Sequence, residues 1–233
     1  MNPIQSIKHL SLFERALWGG SALTVCASYL LSGGFDRLSL IASLVGVTAL
    51  IFIAKGDVLG QLLTVLFSIL YAVISWRSRY FGEMITYLGM TMPIAVLSVV
   101  TWLRHPYSEQ EVKVSRLSRG SILRLLAAAL LVTAVFYFIL KTCGTANLPV
   151  STLSITTSFT ASSLMMLRSP YYALAYALND IVLIVLWLTE ALRNPAVLPM
   201  TACFLTFFIN DLYGFQSWRR MERRQDTFPK SKT

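Results

Sequence analysis

The chain alternates long apolar runs with short polar breaks. Eight runs approach or reach the roughly 17–25 residues that a helix needs to cross a bilayer: 17–31, 38–54, 58–76, 84–103, 122–140, 151–167, 171–189 and 196–218. The first is short and carries Gly19 and Gly20, and the sixth, STLSITTSFTASSLMML, is diluted by hydroxyl side chains. The breaks hold Gly, Pro or charge, as in Lys55-Gly56-Asp57, Arg168-Ser169-Pro170 and Arg193-Asn194-Pro195. The segment 105–121 is longer and hydrophilic, but too short for a domain. This pattern predicts an all-α polytopic membrane protein with eight transmembrane helices.

Composition agrees. Of the 233 residues, 55% are hydrophobic and 13% charged, whereas soluble domains carry about 25% charged residues. A soluble fold of this length would lack a polar surface. The N-terminal run begins near Leu17 without a small-x-small cleavage pattern, so it reads as a retained span rather than a signal peptide.

The net charge of +9 does not point to nucleic acid, because the basic residues gather in loops and the tail. With eight spans, fifteen Lys and Arg share the side of both termini, Lys8, Lys230 and Lys232 among them. Five (Arg37, Arg77, Arg79, Lys141 and Arg193) lie opposite. The positive-inside rule then makes the C-terminus cytoplasmic. Cys26, Cys143 and Cys203 are unrelated in spacing, and His9 and His105 lie outside the runs, so no disulfide framework, metal site or cofactor is expected.

Shifting the chain by 116 residues lays GEMITYLGMTMPIAVLSVVTWLRH over LPMTACFLTFFINDLYGFQSWRRM, with Met84 on Met200 and Trp102 on Trp218. A duplication would divide the chain into 1–37 with the first span, a three-helix repeat at 38–104, a loop and linker helix at 105–150, a second repeat at 151–218, and a basic tail at 219–233. An odd linker helix makes the two repeats parallel, as in small transporters that hold substrate between repeats near the midplane.

Carboxylates within apolar spans are costly, about 2.5–3.5 kcal/mol for Asp at a helix centre on insertion scales. Two Asn-Asp pairs occur here, Asn179-Asp180 and Asn210-Asp211. In the seventh span Tyr172, Tyr176 and Asn179 share one helical face with Asp180 beside it, and in the eighth Gly214 would allow close approach near Asn210. In the first repeat Gln61, Tyr71, Tyr87 and Thr91 are the polar or aromatic candidates, and Met90 and Pro93 mark a kink. The pairs either line a cavity or bridge helices; the hydroxyl-rich sixth span either lines it too or packs tightly. Trp76, Trp102 and Trp218 read as an interface belt, and Arg77, Arg79, Glu83 and Glu190 as solvated ends. Aromatic faces with carboxylate and amide groups suit a flat, cationic heteroaromatic ligand carrying a sugar. No metalloprotease or nucleophile-elbow motif suggests an enzyme.

The runs GMTMPIAVLSVVTWLRHPY, YYALAYALNDIVLIVLW and FFINDLYGFQSWRRMERRQ resemble the PnuC family of nicotinamide riboside transporters, particularly those of Gram-positive bacteria, over roughly residues 40–225. The resemblance implies a three-plus-one-plus-three arrangement similar to the SWEET sugar transporters, a homotrimer in the cell membrane, and facilitated diffusion. It also implies functional coupling to a cytoplasmic kinase that traps the vitamin for NAD synthesis. Many relatives carry Trp where this chain has Tyr172 and Tyr176. On this resemblance the tyrosines would stack on the pyridinium ring and Asn179 and Asn210 would bond carboxamide or ribose. Asp180 and Asp211 would orient the site or favour the cation, with Tyr87, Gln61 and Thr91 completing the set. Relatives that carry thiamine, riboflavin or deoxynucleosides, and a proton-coupled symporter, remain alternatives.

Overall fold

The structure, a computed structural model, describes residues 10–33, 36–108, 111–145 and 147–227. Lys8, His9, Lys230 and Lys232 of the sequence reading lie outside the described residues. The elements in chain order are α1 (Leu12–Leu31), α2 (Arg37–Ala54), α3 (Val58–Arg77), α4 (Phe81–Arg104), α5 (Arg119–Thr142), α6 (Leu148–Met166), α7 (Tyr172–Ala191) and α8 (Leu198–Thr227). A short antiparallel pairing of Pro106–Ser108 with Glu111–Val112 lies between α4 and α5.

Local chemistry sets several boundaries. Ser11 and Glu14 form a reciprocal capping box that starts α1, while Asp36, Asp57 and Ser118 cap α2, α3 and α5 through their side chains. Inside α4, residues Tyr87–Thr91 take a π-helical turn in which Met92 N–H bonds the Tyr87 carbonyl. Pro93 explains this, because its ring cannot donate to the preceding turn and crowds the carbonyl four residues back. The kink expected around Met90 and Pro93 is thus a π-bulge.

Six helices among the described residues are long and apolar enough to cross a membrane: α2, α3, α4, α5, α7 and the α8 segment. The two sequence runs that do not qualify are α1, with Glu14 and Arg15 in its first turn, and α6, with its Ser and Thr. Helices α2, α3, α4, α6, α7 and α8 form a closed ring, each packed on the next and α8 returning to α2. Helix α1 lies outside against α2 and α8, and α5 packs outside on α6.

Two expectations are corrected here. Trp102 and Trp218 are not belt residues: both are buried, with Trp102 Nε1 donating to Met165 O at 3.2 Å and Trp218 Nε1 to Ile53 O at 2.8 Å. Trp76, by contrast, is 60% exposed. Glu83 is not a solvated end, because the ring of helices closes over it. The expected tail at 219–233 is helical as far as Thr227, so α8 runs past Trp218.

That extension is held by the segment after α4. Val112 N–H bonds Gly56 O in the α2–α3 turn, and Val114 N–H bonds Gln225 Oε1. Arg116 pairs with Glu222 and Asp226, and Arg224 pairs with Glu111. The hydrophilic segment is therefore a strap across one end of the ring.

Candidate functional site

Helix α7 places the main polar groups. Its buried stripe runs through Tyr172, Asn179, Asp180, Leu183 and Trp187, at spacings that keep them on the face turned into the ring. Helix α6 supplies what this stripe needs. Asn179 Oδ1 accepts from Thr157 Oγ1 at 2.7 Å and Ser158 Oγ at 2.9 Å, and the Ser162 and Tyr176 hydroxyls lie 3.0 Å apart. The low hydropathy of α6 follows, since its hydroxyls satisfy polar groups that would otherwise be orphaned away from water.

Both lone pairs of the Asn179 carbonyl are now used, which fixes the amide orientation and turns Nδ2 away from α6. Nδ2 is buried and has no hydrogen-bond partner, and Asp180, the next residue, lies against Asp211. Both residues border a cavity of about 40 Å³ in the centre of the ring. Tyr172, Tyr176 and Asp211 complete its α7–α8 wall, with Tyr87 and Thr91 from the π-bulge of α4 opposite. Asp180 and Asp211 interact directly.

Seven of the nine residues singled out from sequence therefore share one cavity: Tyr87, Thr91, Tyr172, Tyr176, Asn179, Asp180 and Asp211. The structure does not bring Asn210 there. Its Nδ2 donates to Ser21 Oγ on α1 at 2.9 Å and to Thr206 O at 2.7 Å, because a neighbour of Asp211 on a helix points about 100° away from it. Gln61 is fully buried on α3 but does not border the cavity, and neither of its amide atoms has a partner. Replacing Asn210 by Ala is expected to loosen α1, lowering stability by about 1 kcal/mol while leaving ligand affinity unchanged; thermal unfolding and a binding isotherm of the same preparation check both.

Sequence reasoning missed the apolar lining, including Gly46, Phe67, Met165 and Phe207. A Cβ on Gly46 would lie 2.4 Å from Phe207 Cζ, so only glycine lets that ring sit against α2. Gly46→Ala is expected to push Phe207 inward and cut initial uptake several-fold with protein yield maintained, as counted by uptake per mole of reconstituted protein. Thr64, also missed, stands 116 positions before Asp180. Gly214 behaves as expected: its Cβ would meet Tyr172 Oη at 3.1 Å.

Aromatic clusters pack beside the cavity on two sides. Towards the α3–α4 connection, Tyr71 packs on Tyr87 at 4.2 Å, Phe67 at 5.5 Å and Trp187 at 5.7 Å between ring centroids. Towards the strap, Trp218 packs on Tyr172 at 4.9 Å and Trp102 at 5.4 Å. The space holds a few waters and falls well short of the roughly 300 Å³ of small-molecule pockets. As it stands the space must widen to admit a ligand. Among the described residues no group of His, Cys, Asp and Glu is arranged to hold a metal ion.

The family model described as nicotinamide mononucleotide transporter matches residues 36–220. Among curated proteins, the chain is 25% identical to the nicotinamide riboside transporter PnuC of Neisseria mucosa over 193 residues, covering 80% of this chain and 73% of that one. It is 23% identical to the nicotinamide riboside transporter PnuC of Haemophilus influenzae over 190 residues, covering 80% and 81%. Among solved structures, the fold matches the crystal structure of the vitamin B3 transporter PnuC with a TM-score of 0.82 and 23% identity, over 92% of this chain and 94% of that one. At that identity the structural likeness is one of fold.

Proposed function

The chain belongs to the nicotinamide mononucleotide transporter family, whose model spans residues 36–220, and from that premise we propose that it is a uniporter for nicotinamide riboside. The observation that carries the proposal is the central cavity with Asn179 Nδ2 unpartnered, two tyrosines on the same helix, and Asp180 and Asp211 beside them. A neutral amide donor suits a carboxamide or ribose oxygen, tyrosine rings suit a pyridinium face, and carboxylates suit its positive charge. Choosing the riboside over the mononucleotide follows from the same inventory. Among the described residues the lining holds carboxylates and no Lys or Arg, so a phosphate would meet repulsion without a counter-charge. Calorimetric titration of the purified protein with nicotinamide riboside, nicotinamide mononucleotide, thiamine, riboflavin and a deoxynucleoside tests this. Tightest binding to any but the first sinks the assignment.

The parallel-repeat architecture, with eight spans arranged as one plus three, one and three, is part of the same reading. Its support is that residues 116 apart touch on two sides of the cavity. Trp187 Nε1 donates to Tyr71 Oη at 2.7 Å, and the Trp102 and Trp218 rings lie 5.4 Å apart. Residues beside a two-fold axis contact their own symmetry mates, so an axis along the ring would pass through both contacts, with residues 38–104 and 151–218 as the repeats. Transport then consists of one three-helix unit rocking against the other, opening either aromatic cluster in turn.

In this reading the tail and the strap are cytoplasmic, where a kinase draws the vitamin into NAD synthesis. The exposed Cys143 after α5 then faces outside. A membrane-impermeant maleimide applied to intact cells is expected to label Cys143 and not its Ser replacement; labelling only after permeabilisation reverses the orientation. Helix α5 buries 11% of its most apolar 18-residue window within the chain, leaving Leu123, Leu130, Leu131 and Phe138 exposed to lipid or to the neighbouring copies of a homotrimer.

The direct interaction of Asp180 with Asp211 favours one second reading, proton-coupled transport, because two adjacent carboxyls readily share a proton. Uptake into liposomes with and without a pH gradient separates the two. Accumulation above the external concentration would eliminate the uniporter.

A further inference from the structure

Glu83 lies in the first turn of α4, beyond the aromatic cluster at the end of the ring away from the tail. Its residue is 0% exposed. Oε2 accepts a long hydrogen bond from Tyr71 Oη at 3.4 Å, whereas Oε1 has no partner. Among the described residues no Lys, Arg or His forms an ion pair with it. Ser154 of α6 lies beside Glu83, its hydroxyl facing the carboxyl.

A carboxylate taken out of water without a counter-charge costs several kcal/mol. A surface role would have let the side chain reach solvent from so near the helix start, yet the fold encloses it. Beside the Ser154 hydroxyl, two aromatic residues flank it, Tyr71 and Tyr87. Tyr71 receives the Trp187 indole N–H at 2.7 Å, which leaves the phenol proton of Tyr71 for Glu83. The Tyr87 ring lies 4.2 Å from that of Tyr71. An acidic group set among aromatic faces is a donor set for an organic cation. Tyr87 also borders the central cavity, so one tyrosine separates the two places.

We infer that Glu83, with Tyr71, Tyr87 and Trp187, forms an outer subsite that takes the cationic ring of the substrate on its way to the central cavity. The ligand class is an N-substituted pyridinium cation. The inference rests on the proposed nicotinamide riboside carrier and adds to it a charge-selecting entry step at a residue outside the central cavity. Movement of Tyr87 then passes the ring from Glu83 to the space bordered by Asp180.

The test uses the full chain in liposomes and two ligands of similar shape, nicotinamide riboside and its reduced, uncharged dihydro form. Initial uptake at low concentration is measured for wild type, Glu83→Gln and Glu83→Asp. Glu83→Gln is expected to slow uptake of the cation about tenfold and that of the neutral form by no more than about twofold, while Glu83→Asp keeps the preference for the cation. Equal losses for both ligands would assign Glu83 to packing, and no loss for the cation would leave it without a role in entry; either overturns the subsite. If wild type carries neither ligand, the carrier reading itself falls, and the subsite with it. Should Glu83→Gln not fold, the same ratio is read from Tyr71→Phe, which removes the hydroxyl that positions the carboxylate, and an unchanged ratio there overturns the inference.

Discussion

Asn179→Ala is expected to bind nicotinamide riboside at least about 100-fold more weakly than wild type, near 3 kcal/mol, while remaining folded. The asparagine joins two elements and a ligand. Its carbonyl accepts from Thr157 and Ser158 on α6, and the amide nitrogen left over is an orphan donor in the cavity. Truncation removes that donor and leaves Ser158 Oγ without its acceptor, whereas Thr157 Oγ1 keeps Leu153 O and Ser154 O within 3.0 Å, and groups acting together lose more than one hydrogen bond is worth. Asn179→Asp discriminates the causes, because a carboxylate still accepts from Thr157 and Ser158 but no longer donates. If the donor matters, this variant also fails to bind although its α6 contacts persist. Titration calorimetry on detergent-purified protein, with thermal unfolding of the same samples, checks both; wild-type affinity in Asn179→Ala would remove Asn179 from the site.

The second large effect is on stability. Trp218→Ala is expected to cost about 3–5 kcal/mol and to lower the unfolding midpoint by roughly ten degrees. Trp218 is fully buried, donates to Ile53 O on α2 and packs on Trp102 and Tyr172. Its removal opens a void between helices and leaves a carbonyl unpaired. Lipid tails are as apolar as the lost ring, so the loss falls on packing and hydrogen bonding rather than on transfer from water. Trp76→Ala serves as the comparison. That residue is 60% exposed, and its truncation is expected to shift stability by no more than about 0.5 kcal/mol. Similar midpoints for the two variants would return Trp218 to the interface.

The same pair of tryptophans shows how far a sequence reads. Trp76 and Trp218 each stand near the end of an apolar run with arginine beside them, and by pattern alone they are alike. What separates them is the neighbour. The α3 end turns Trp76 outward, whereas α8 continues to Thr227 and carries Trp218 inside the ring. Glu83 misled for the same reason: proximity to a run's end suggests water, but the first turn of α4 is covered by α3 and α6. Asn210 and Asp211 are adjacent in sequence and diverge in space, one to α1 and one to the cavity. No periodicity argument distinguishes them without knowing which flank of α8 meets α1.

By itself the sequence determined that the chain is helical and apolar, where its runs break, and that carboxylates within the seventh and eighth runs need a polar destination. Those are local consequences of hydropathy, of Gly and Pro, and of the cost of charge in hydrocarbon. Only the tertiary structure decided which polar groups meet. The hydroxyls of α6 come to satisfy Asn179, the π-bulge brings Tyr87 and Thr91 opposite Asp180, and residues 116 apart touch on two sides of one cavity. These contacts depend on how each helix is rotated against its neighbours. Side-chain packing across the ring sets that rotation, and a run of apolar residues carries little record of it.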